Sequence, residues 1–310
     1  MGTPSFALPS LQILMDRKED IIGVVTQPDR QVGRGRHLAP TPVKELALKY
    51  NLPVYQPEKI KDPEFIAAFK EWRIDLAVVV AYGQIIPSSL LEIPCFGFIN
   101  VHSSLLPEYR GAAPINWALI NGETETGVTI MLLDEGLDTG DIILQDTIPI
   151  EPEDSAAGLH DKLSLLGSKL LEKAIDILRR EKRWNTTPQD HKLATYAPAF
   201  RKDNGLINWE KSAKDIFNQV RGMTPWPCCF TYLNNKLLKV HRVETGDPAT
   251  GASPGRIVSV SKKGIEVSTG KGSILLKDIQ IEGKKKMAAE DFIKGYKITP
   301  GTKLCTTGLS

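Results

Sequence analysis

Apolar runs alternate with helical patterns along the first half of the chain. Runs rich in β-branched residues and bounded by turn residues predict strands at residues 21–26, 76–80, 98–101 and 128–133. Apolar residues at helical spacing predict helices at 41–50, 62–73 and 114–121, and a longer helix at 155–180. Strands that alternate with helices are typical of a parallel sheet covered on both faces. We therefore predict an α/β fold with a Rossmann-like, mostly parallel sheet domain.

The pattern changes beyond residue 183. Residues 184–204 are polar and contain Pro188 and Pro198, which is typical of a linker. One further helix is predicted at 212–221, followed by five short strands with Asn and Gly turns at 228–233, 237–243, 256–260, 265–268 and 274–281. This spacing indicates a small β-barrel such as an OB-like fold. We predict an α/β domain at 1–183, a linker at 184–204 and a basic OB-like domain at 205–310.

The first residues have the pattern of a loop that follows a strand. Met1-Gly2-Thr3-Pro4 leads into a helical pattern around residues 9–16, with no apolar strand before it. In doubly wound sheets the first strand is usually central. We therefore expect the natural chain to begin a few residues upstream, with an apolar strand.

Charge is distributed unevenly between the two halves. Residues 1–200 carry 20 basic and 27 acidic side chains, whereas residues 201–310 carry 19 basic and 10 acidic ones. A basic domain that follows an acidic one favours a polyanionic partner, although a solvated lysine-rich surface gives the same composition. The four cysteines lack the spacing of a zinc site or of a disulfide framework. With no apolar run of about 18 residues, no signal-peptide pattern and no disulfide framework, we expect a cytoplasmic protein. We also expect a monomer.

The candidate chemistry begins at the end of the strand at 98–101. Asn100 and His102 are two residues apart, so their side chains share one face of the strand. They lie at its carboxyl end, where open α/β sheets bind their ligands. An amide beside an imidazole can stabilise a developing oxyanion, and histidine can transfer a proton near neutral pH. A purely structural Asn and His remains the alternative.

A glycine-rich acidic turn follows the next strand of the sheet. It spans residues 134–142 and contains Asp138, which could orient His102 or tune its proton affinity. The alternative is an ordinary acidic turn in which glycines adopt positive φ. The sequence around Asp138 does not decide between the two.

Three separated motifs together resemble one family. Asn100-x-His102-x-Ser-Leu-Leu-Pro-x-Tyr-Arg-Gly, then Thr-Gly-Val-Thr, then Leu-Asp138-x-Gly-Asp is similar to the pattern of the 10-formyltetrahydrofolate-dependent formyltransferases. The resemblance implies that Asn100, His102 and Asp138 are catalytic, that 10-formyltetrahydrofolate is the co-substrate, and that no metal is needed. It also implies a folate site made by Ser104, Leu105, Leu106, Pro107, Tyr82, Gly83, Gln84 and Ile85.

Two basic segments indicate which molecule accepts the formyl group. The loop at 26–37 carries Arg30, Arg34 and Arg36, and resembles the tRNA-contacting loop of family members that formylate methionylated initiator tRNA. Lys284, Lys285 and Lys286 resemble the basic end of the same members, where a phosphate backbone could bind. We therefore expect initiator tRNA to be the partner. A formyltransferase for a nucleotide-linked aminosugar and a formyltetrahydrofolate hydrolase remain alternatives, and a pure nucleic-acid-binding protein would leave the Asn–His–Asp set unexplained.

Overall fold

A computed structural model describes residues 1–32, 37–246 and 251–306. The chain forms two compact units. Unit 1 contains Met1–Pro114, Glu125–Pro149 and His160–Pro198, and unit 2 contains Ile115–Thr124, Ile150–Leu159 and the chain from Ala199 onward. The domain boundaries expected from the sequence, 1–183, 184–204 and 205–310, stay a prediction.

The first part of the chain alternates short strands with helices. Its strands are β1 (Val24–Val25), β2 (Arg30–Val32), β3 (His37–Ala39), β4 (Val54–Tyr55), β5 (Ala77–Val79), β6 (Phe98–His102), β7 (Glu125–Leu132) and β8 (Ile142–Pro149). Its helices are α1 (Leu8–Asp16), α2 (Pro42–Lys49), α3 (Pro63–Glu71), α4 (Ser88–Leu91), α5 (Pro114–Asn121) and α6 (Ala156–Glu181).

Helix α2 shows how the sequence sets an element boundary. Thr41 precedes it in an extended conformation, and its side-chain oxygen accepts the backbone N–H of Lys44. Pro42 occupies the first turn, where the missing N–H costs no hydrogen bond. Val43 and Ala47, four residues apart, form its buried face.

The strands of unit 1 form a mixed arrangement. Strands β1 and β4 pair in parallel, and so do β5 and β6. Strands β6, β7 and β8 then continue the sheet in antiparallel fashion. The predicted α/β, Rossmann-like fold is confirmed, and the antiparallel edge is an addition that the sequence pattern did not indicate.

Residues 1 and 2 lie between the two parallel pairs. The backbone N–H of Gly2 donates to the carbonyl of Val25, and Gly2 also forms a parallel bridge with Val80. A cavity of about 660 Å³ is lined by residues of β1 and β5. The two small sheets are therefore linked through residues 1 and 2 at the carboxyl ends of their strands.

The core of unit 1 packs the helices against β5 and β6. Phe69 of α3 stacks on Phe98 of β6, with ring centroids 5.9 Å apart. Both rings are about 1% exposed, as is Tyr82, which belongs to the same buried cluster. Strand β6, which ends at His102, is therefore anchored at its other end by a rigid aromatic core.

From Ala199 onward, unit 2 contains an antiparallel sheet with the helices α7 (Ala213–Met223) and α8 (Ala289–Gly295). The strands are β9 (Cys229–Leu233), β10 (Lys236–Thr245), β11 (Ile257–Ser261), β12 (Gly264–Ser268), β13 (Ser273–Ile281) and β14 (Met287–Ala288). The sheet order is β11-β12-β13-β10-β9, with β14 beside β13. All of its strand pairs are antiparallel.

A short segment near the end of the described chain joins the two edge strands of this sheet. Lys303 bridges to Arg256, just before β11, and Cys305 bridges to Tyr232 of β9. Between them, Leu304 is 2% exposed and donates its backbone N–H to the carbonyl of Gly255. The sheet thereby closes on itself, in agreement with the predicted OB-like barrel.

The four cysteines are free thiols, of which Cys228 and Cys229 are buried in unit 2. Burial raises the pKa of both thiols, so they are protonated at neutral pH. Over the described parts of the chain, no helix is both long enough and apolar enough to cross a membrane.

Candidate active site

Strand β6 presents the two polar side chains that the sequence analysis selected. Asn100 and His102 lie on this strand, which pairs with β5 on one side and β7 on the other. His102 is 6% exposed, whereas Asn100 is half-buried, and in the described chain its side-chain amide makes no hydrogen bond. The Asn100 amide is therefore available to bind a substrate group, whereas the His102 ring is buried and fixed by its neighbours.

The orientation of the His102 ring follows from its hydrogen bonds. Its Nε2 atom lies 3.1 Å from the carbonyl oxygen of Tyr109. Because a carbonyl can only accept, Nε2 carries the hydrogen, which leaves Nδ1 as the nitrogen that gains or loses a proton. Nδ1 lies 3.8 Å from Oδ2 of Asp138, with side-chain exposures of 6% and 13%. At that distance the two form an ion pair once the ring is protonated.

Asp138 is held in an unusual backbone conformation. Its φ is +53°, in the left-handed region that a non-glycine residue rarely adopts. Its Oδ2 atom accepts the backbone N–H of Gly111 at 2.8 Å. The acidic turn thus places one carboxylate oxygen between the Gly111 backbone and His102. The structure brings together the three residues expected to be catalytic, although their roles stay a prediction at this point.

The segment expected to contact folate is fixed by the Thr-Gly-Val-Thr strand. Thr129 is fully buried on β7; its hydroxyl donates to the carbonyl of Ser104 at 2.7 Å and accepts the backbone N–H of Leu106 at 3.1 Å. Ser104 in turn donates from its hydroxyl to the Glu108 carbonyl at 2.6 Å. Leu105 and Pro107 remain half-buried. The Thr-Gly-Val-Thr motif on β7 therefore fixes the backbone of the Ser-Leu-Leu-Pro segment.

The other four residues expected at the folate site are placed differently. The Tyr82 side chain is buried in the core, and this burial raises its pKa to about 12. The side-chain amide of Gln84 hydrogen-bonds to backbone groups. Its Oε1 accepts the N–H of Ile60, and its Nε2 donates to the carbonyl of Glu58. Gly83 is exposed, as is Ile85, whose side chain is 83% exposed. Of these four, Gly83 and Ile85 are exposed, Gln84 is half-buried, and the Tyr82 ring is buried.

The basic residues expected to bind tRNA are surface residues where the structure describes them. Arg30 is exposed on β2, which pairs with β3 as a hairpin, and its guanidinium lies 3.3 Å from Oε1 of Gln27. Arg34 and Arg36 lie outside the described residues. Lys284, Lys285 and Lys286 are exposed in unit 2, and Lys286 lies 3.5 Å from Asp278.

The sequence analysis missed residues that support Asp138. Gln189 lies in the segment expected to be a linker, yet it is 6% exposed and hydrogen-bonds to the carbonyl of Asp138. Its partner Arg110 is 2% exposed. Arg110 is part of the first motif, which was the available signal; nothing local marks Gln189. No cluster of three or more metal-ligating side chains occurs in residues 1–32, 37–246 and 251–306.

An α/β unit with Asn100, His102 and Asp138 at a strand end, followed by an OB-like unit, has the architecture of the formyltransferases. The family model described as formyl transferase matches residues 1–175, and the formyl transferase C-terminal domain matches residues 200–297. The chain belongs to the formyl transferase family.

Relatives within the family match over nearly the full length. A methionyl-tRNA formyltransferase of Geotalea uraniireducens strain Rf4 is 50% identical over 304 residues, covering 98% of this chain and 96% of the relative. A methionyl-tRNA formyltransferase of Citrifermentans bemidjiense is 51% identical over 97% of this chain and 94% of the relative.

Solved structures support the same fold at lower identity. An N-formyltransferase from Helicobacter canadensis, in complex with folinic acid and dTDP-3-aminofucose, is 21% identical with a TM-score of 0.65, covering 89% of this chain and 97% of that chain. HypX from Aquifex aeolicus, in complex with tetrahydrofolic acid, is 17% identical with a TM-score of 0.59, covering 82% of this chain and 47% of that chain.

Proposed function

We propose that this protein transfers the formyl group of 10-formyltetrahydrofolate to the α-amino group of methionyl initiator tRNA. The observation that carries this proposal is the identity of about half of all residues, over both units, with proteins named methionyl-tRNA formyltransferase. Solved structures of the same fold hold tetrahydrofolic acid or folinic acid, which supports a folate as the donor.

Asn100 and His102 supply the oxyanion stabilisation. When the acceptor amine attacks the formyl carbon, a new C–N bond forms and the formyl oxygen gains negative charge. The free amide of Asn100 lies on the same strand as His102 and can donate to that oxygen from the start, whereas Nδ1 of His102 can donate only after it has taken the proton from the amine. Donors that are already oriented contribute about 10²–10³ in rate.

His102 and Asp138 handle the proton. The ring nitrogen Nδ1 takes the proton that the amine loses and returns it to N10 of the folate as the C–N10 bond breaks. The Asp138 carboxylate, 3.8 Å away, stabilises the imidazolium formed between the two steps. The hydrogen bond from Nε2 to the Tyr109 carbonyl holds the ring in place throughout.

Binding of both substrates extends the proposal beyond the three catalytic residues. The segments that contain Ser104, Leu105, Leu106, Pro107, Tyr82, Gly83, Gln84 and Ile85 form the folate site, and Tyr82 contributes backbone atoms because its ring lies in the core. Arg30, Arg34, Arg36, Lys284, Lys285 and Lys286 contact phosphates of the tRNA. The predicted domains divide this work, with the chemistry and the arginine contacts to tRNA in 1–183 and the lysine contacts to tRNA in 205–310. The protein acts in the cytoplasm as a monomer.

A comparison of acceptors tests this function. The full chain is given 10-formyltetrahydrofolate with methionyl initiator tRNA, with glycinamide ribonucleotide, with a nucleotide-linked aminosugar, or with buffer alone. Formylmethionyl-tRNA as the only formylated product supports the proposal. Formylation of the aminosugar, or release of formate in buffer at the same rate as with tRNA, contradicts it.

A further inference from the structure

The side chain of Gln189 uses its full hydrogen-bonding capacity inside unit 1. Its Oε1 accepts from Nε of Arg110 at 3.1 Å and from Nη2 of Arg110 at 2.6 Å. Its Nε2 donates to the carbonyl of Asp138 at 2.9 Å and to that of Gly140 at 2.7 Å. Two donors and two acceptors are all that a primary amide offers, and here all four are satisfied.

The partners of Gln189 fix which way its amide points. A guanidinium only donates and a backbone carbonyl only accepts, so the oxygen must face Arg110 and the nitrogen must face the turn. A carboxylate at this position would keep the acceptor for Arg110 but would set an anionic oxygen against two carbonyls. An apolar side chain would leave the groups on both sides unpaired.

The buried guanidinium of Arg110 fixes the position of the Gln189 side-chain amide. The residue is 2% exposed, and besides Gln189 its Nη2 atom contacts Nδ1 of His191 at 3.1 Å. A buried guanidinium needs its hydrogen bonds, because burial of an unpartnered charge is strongly unfavourable. Gln189 supplies two of them, so its position is fixed by Arg110.

Asp138 is held at two points, its backbone carbonyl by Gln189 and its carboxylate by the N–H of Gly111, which follows Arg110 in the chain. A residue at φ +53° keeps that conformation only where its surroundings determine it. The Arg110–Gln189 pair provides such surroundings.

We propose that Gln189 is a positioning residue for formyl transfer, which acts by holding the Asp138 turn so that the carboxylate faces Nδ1 of His102. This role rests on the proposed function. Gln189 itself touches neither substrate. Its loss displaces the carboxylate from the imidazole, so it affects the chemical step and leaves substrate binding unchanged.

The test uses Gln189→Leu and Gln189→Glu in the full chain. We expect kcat to fall about 10–100-fold, because a displacement of about 1 Å at a reacting group has an effect of that size. KM for both substrates should stay within about twofold, since only the chemical step is affected. Gln189→Glu retains an acceptor for Arg110, so its thermal midpoint should fall less than that of Gln189→Leu, which keeps the test valid if Gln189→Leu folds poorly.

Gln219→Leu is the matched control. Gln219 is also a buried amide that donates to two carbonyls, those of Asn204 and Leu206, but it belongs to unit 2. Its replacement should lower the thermal midpoint while kcat stays within about twofold of wild type. An equal fall of kcat in Gln219→Leu and Gln189→Leu would overturn the positioning role.

A double-mutant cycle separates positioning from general stability. In an Asp138→Asn background, Gln189→Leu should lower the single-turnover rate by less than about threefold, because the group that it positions is already gone. The same fold loss in both backgrounds overturns the proposal. A wild-type chain without formyl transfer contradicts the proposed function and this role together, whereas an active wild type with equally active Gln189 variants contradicts this role alone.

Discussion

Gly111 is the residue at which backbone geometry and the active site depend on each other most closely. Its φ is +119°, and a Cβ atom there would lie 2.8 Å from the carbonyl oxygen of Ala197. Its N–H donates to the Asp138 carboxylate. Only glycine satisfies the torsion angle, the close approach and the hydrogen bond at once.

Gly111→Ala should therefore lower both stability and activity. We expect the free energy of unfolding to fall by about 1–3 kcal/mol from the strained torsion angle, and kcat to fall at least about tenfold as the shifted backbone moves the N–H of residue 111 away from the Asp138 carboxylate. Chemical denaturation and steady-state kinetics measure the two effects. Gly301→Ala is the control, because Gly301 also has positive φ but a Cβ atom there would meet nothing within 4 Å. A Gly111→Ala enzyme with wild-type kcat would contradict the assigned contact.

Single residues differed in how far the sequence could predict them. Asn100 and His102 could be placed on one strand face because the strand period is two. Gln189 could not be linked to Asp138, because 51 residues separate them and nothing local in a polar segment signals a long-range hydrogen bond. Tyr82 was expected at the folate site from a motif, which did not indicate that its ring lies in the core, and its part in a folate site stays a prediction.

Among the elements, the segment Lys303–Cys305, which closes the barrel of unit 2, gives the most direct prediction for stability. Leu304 is buried between the bridges at Lys303 and Cys305, which pair with the two edges of the sheet. Leu304→Ala should lower the free energy of unfolding of unit 2 by about 2–5 kcal/mol, because it removes buried apolar volume without refilling it. Denaturation followed by the fluorescence of the buried Trp209 reports the change. A variant as stable as wild type would show that the segment does not hold the barrel closed.

Asp278 on β13 links a pH effect to the basic surface. Burial alone would raise the pKa of its carboxyl, but Arg242 and Lys286 outweigh burial and lower it. A lowered folded-state pKa stabilises the protein above the ordinary aspartate pKa of about 3.9, and that stabilisation is lost as pH falls through the lower folded-state value.

Asp278→Asn should therefore cost about 0.5–1 kcal/mol at neutral pH, since the ion pairs are partly exposed. The difference between wild type and variant should narrow below pH of about 3.9. Urea denaturation across this range measures it. If the difference in free energy of unfolding between wild type and Asp278→Asn stays constant from pH 7 into the acid range, the loss of stability does not come from the carboxylate charge.

Elements with a local pattern were predicted, and elements that depend on distant partners were not. Strand β7 and helix α6 lie within a few residues of their predicted positions, because their apolar residues repeat with the period of the element. Strand β1 was predicted at 21–26 but is only two residues long, and the Lys303–Cys305 segment, which was not predicted, pairs with segments far away in sequence. Such pairing is set by tertiary context, which a local pattern does not contain.

At the scale of the whole chain, charge asymmetry is the main physical feature. Residues 201–310 carry nine more basic than acidic side chains, and residues 1–200 carry seven more acidic than basic ones. A phosphate backbone attracted to the basic part displaces its counterions, so binding weakens as salt rises. This asymmetry was visible in the sequence, but the position of each lysine on the fold was not.

Binding of methionyl initiator tRNA should therefore depend steeply on salt. Lys285→Ala should lower the slope of log Kd against log salt by about 1, the change expected from the loss of one phosphate contact. Lys169 is also exposed and lies on α6, and Lys169→Ala should leave the slope unchanged. Fluorescence anisotropy of labelled tRNA at several salt concentrations measures both. Equal slopes for wild type and Lys285→Ala would remove that lysine from the interface.

The most direct test of the central claim is the single-turnover rate of formyl transfer to methionyl initiator tRNA by wild type and by His102→Ala, with the Kd for tRNA measured on both. We expect the wild type to form formylmethionyl-tRNA and His102→Ala to be slower by about 10²–10⁴, because the group that moves the proton is missing. The Kd should be the same for both. Transfer by His102→Ala at the wild-type rate would contradict the assignment of this site to catalysis.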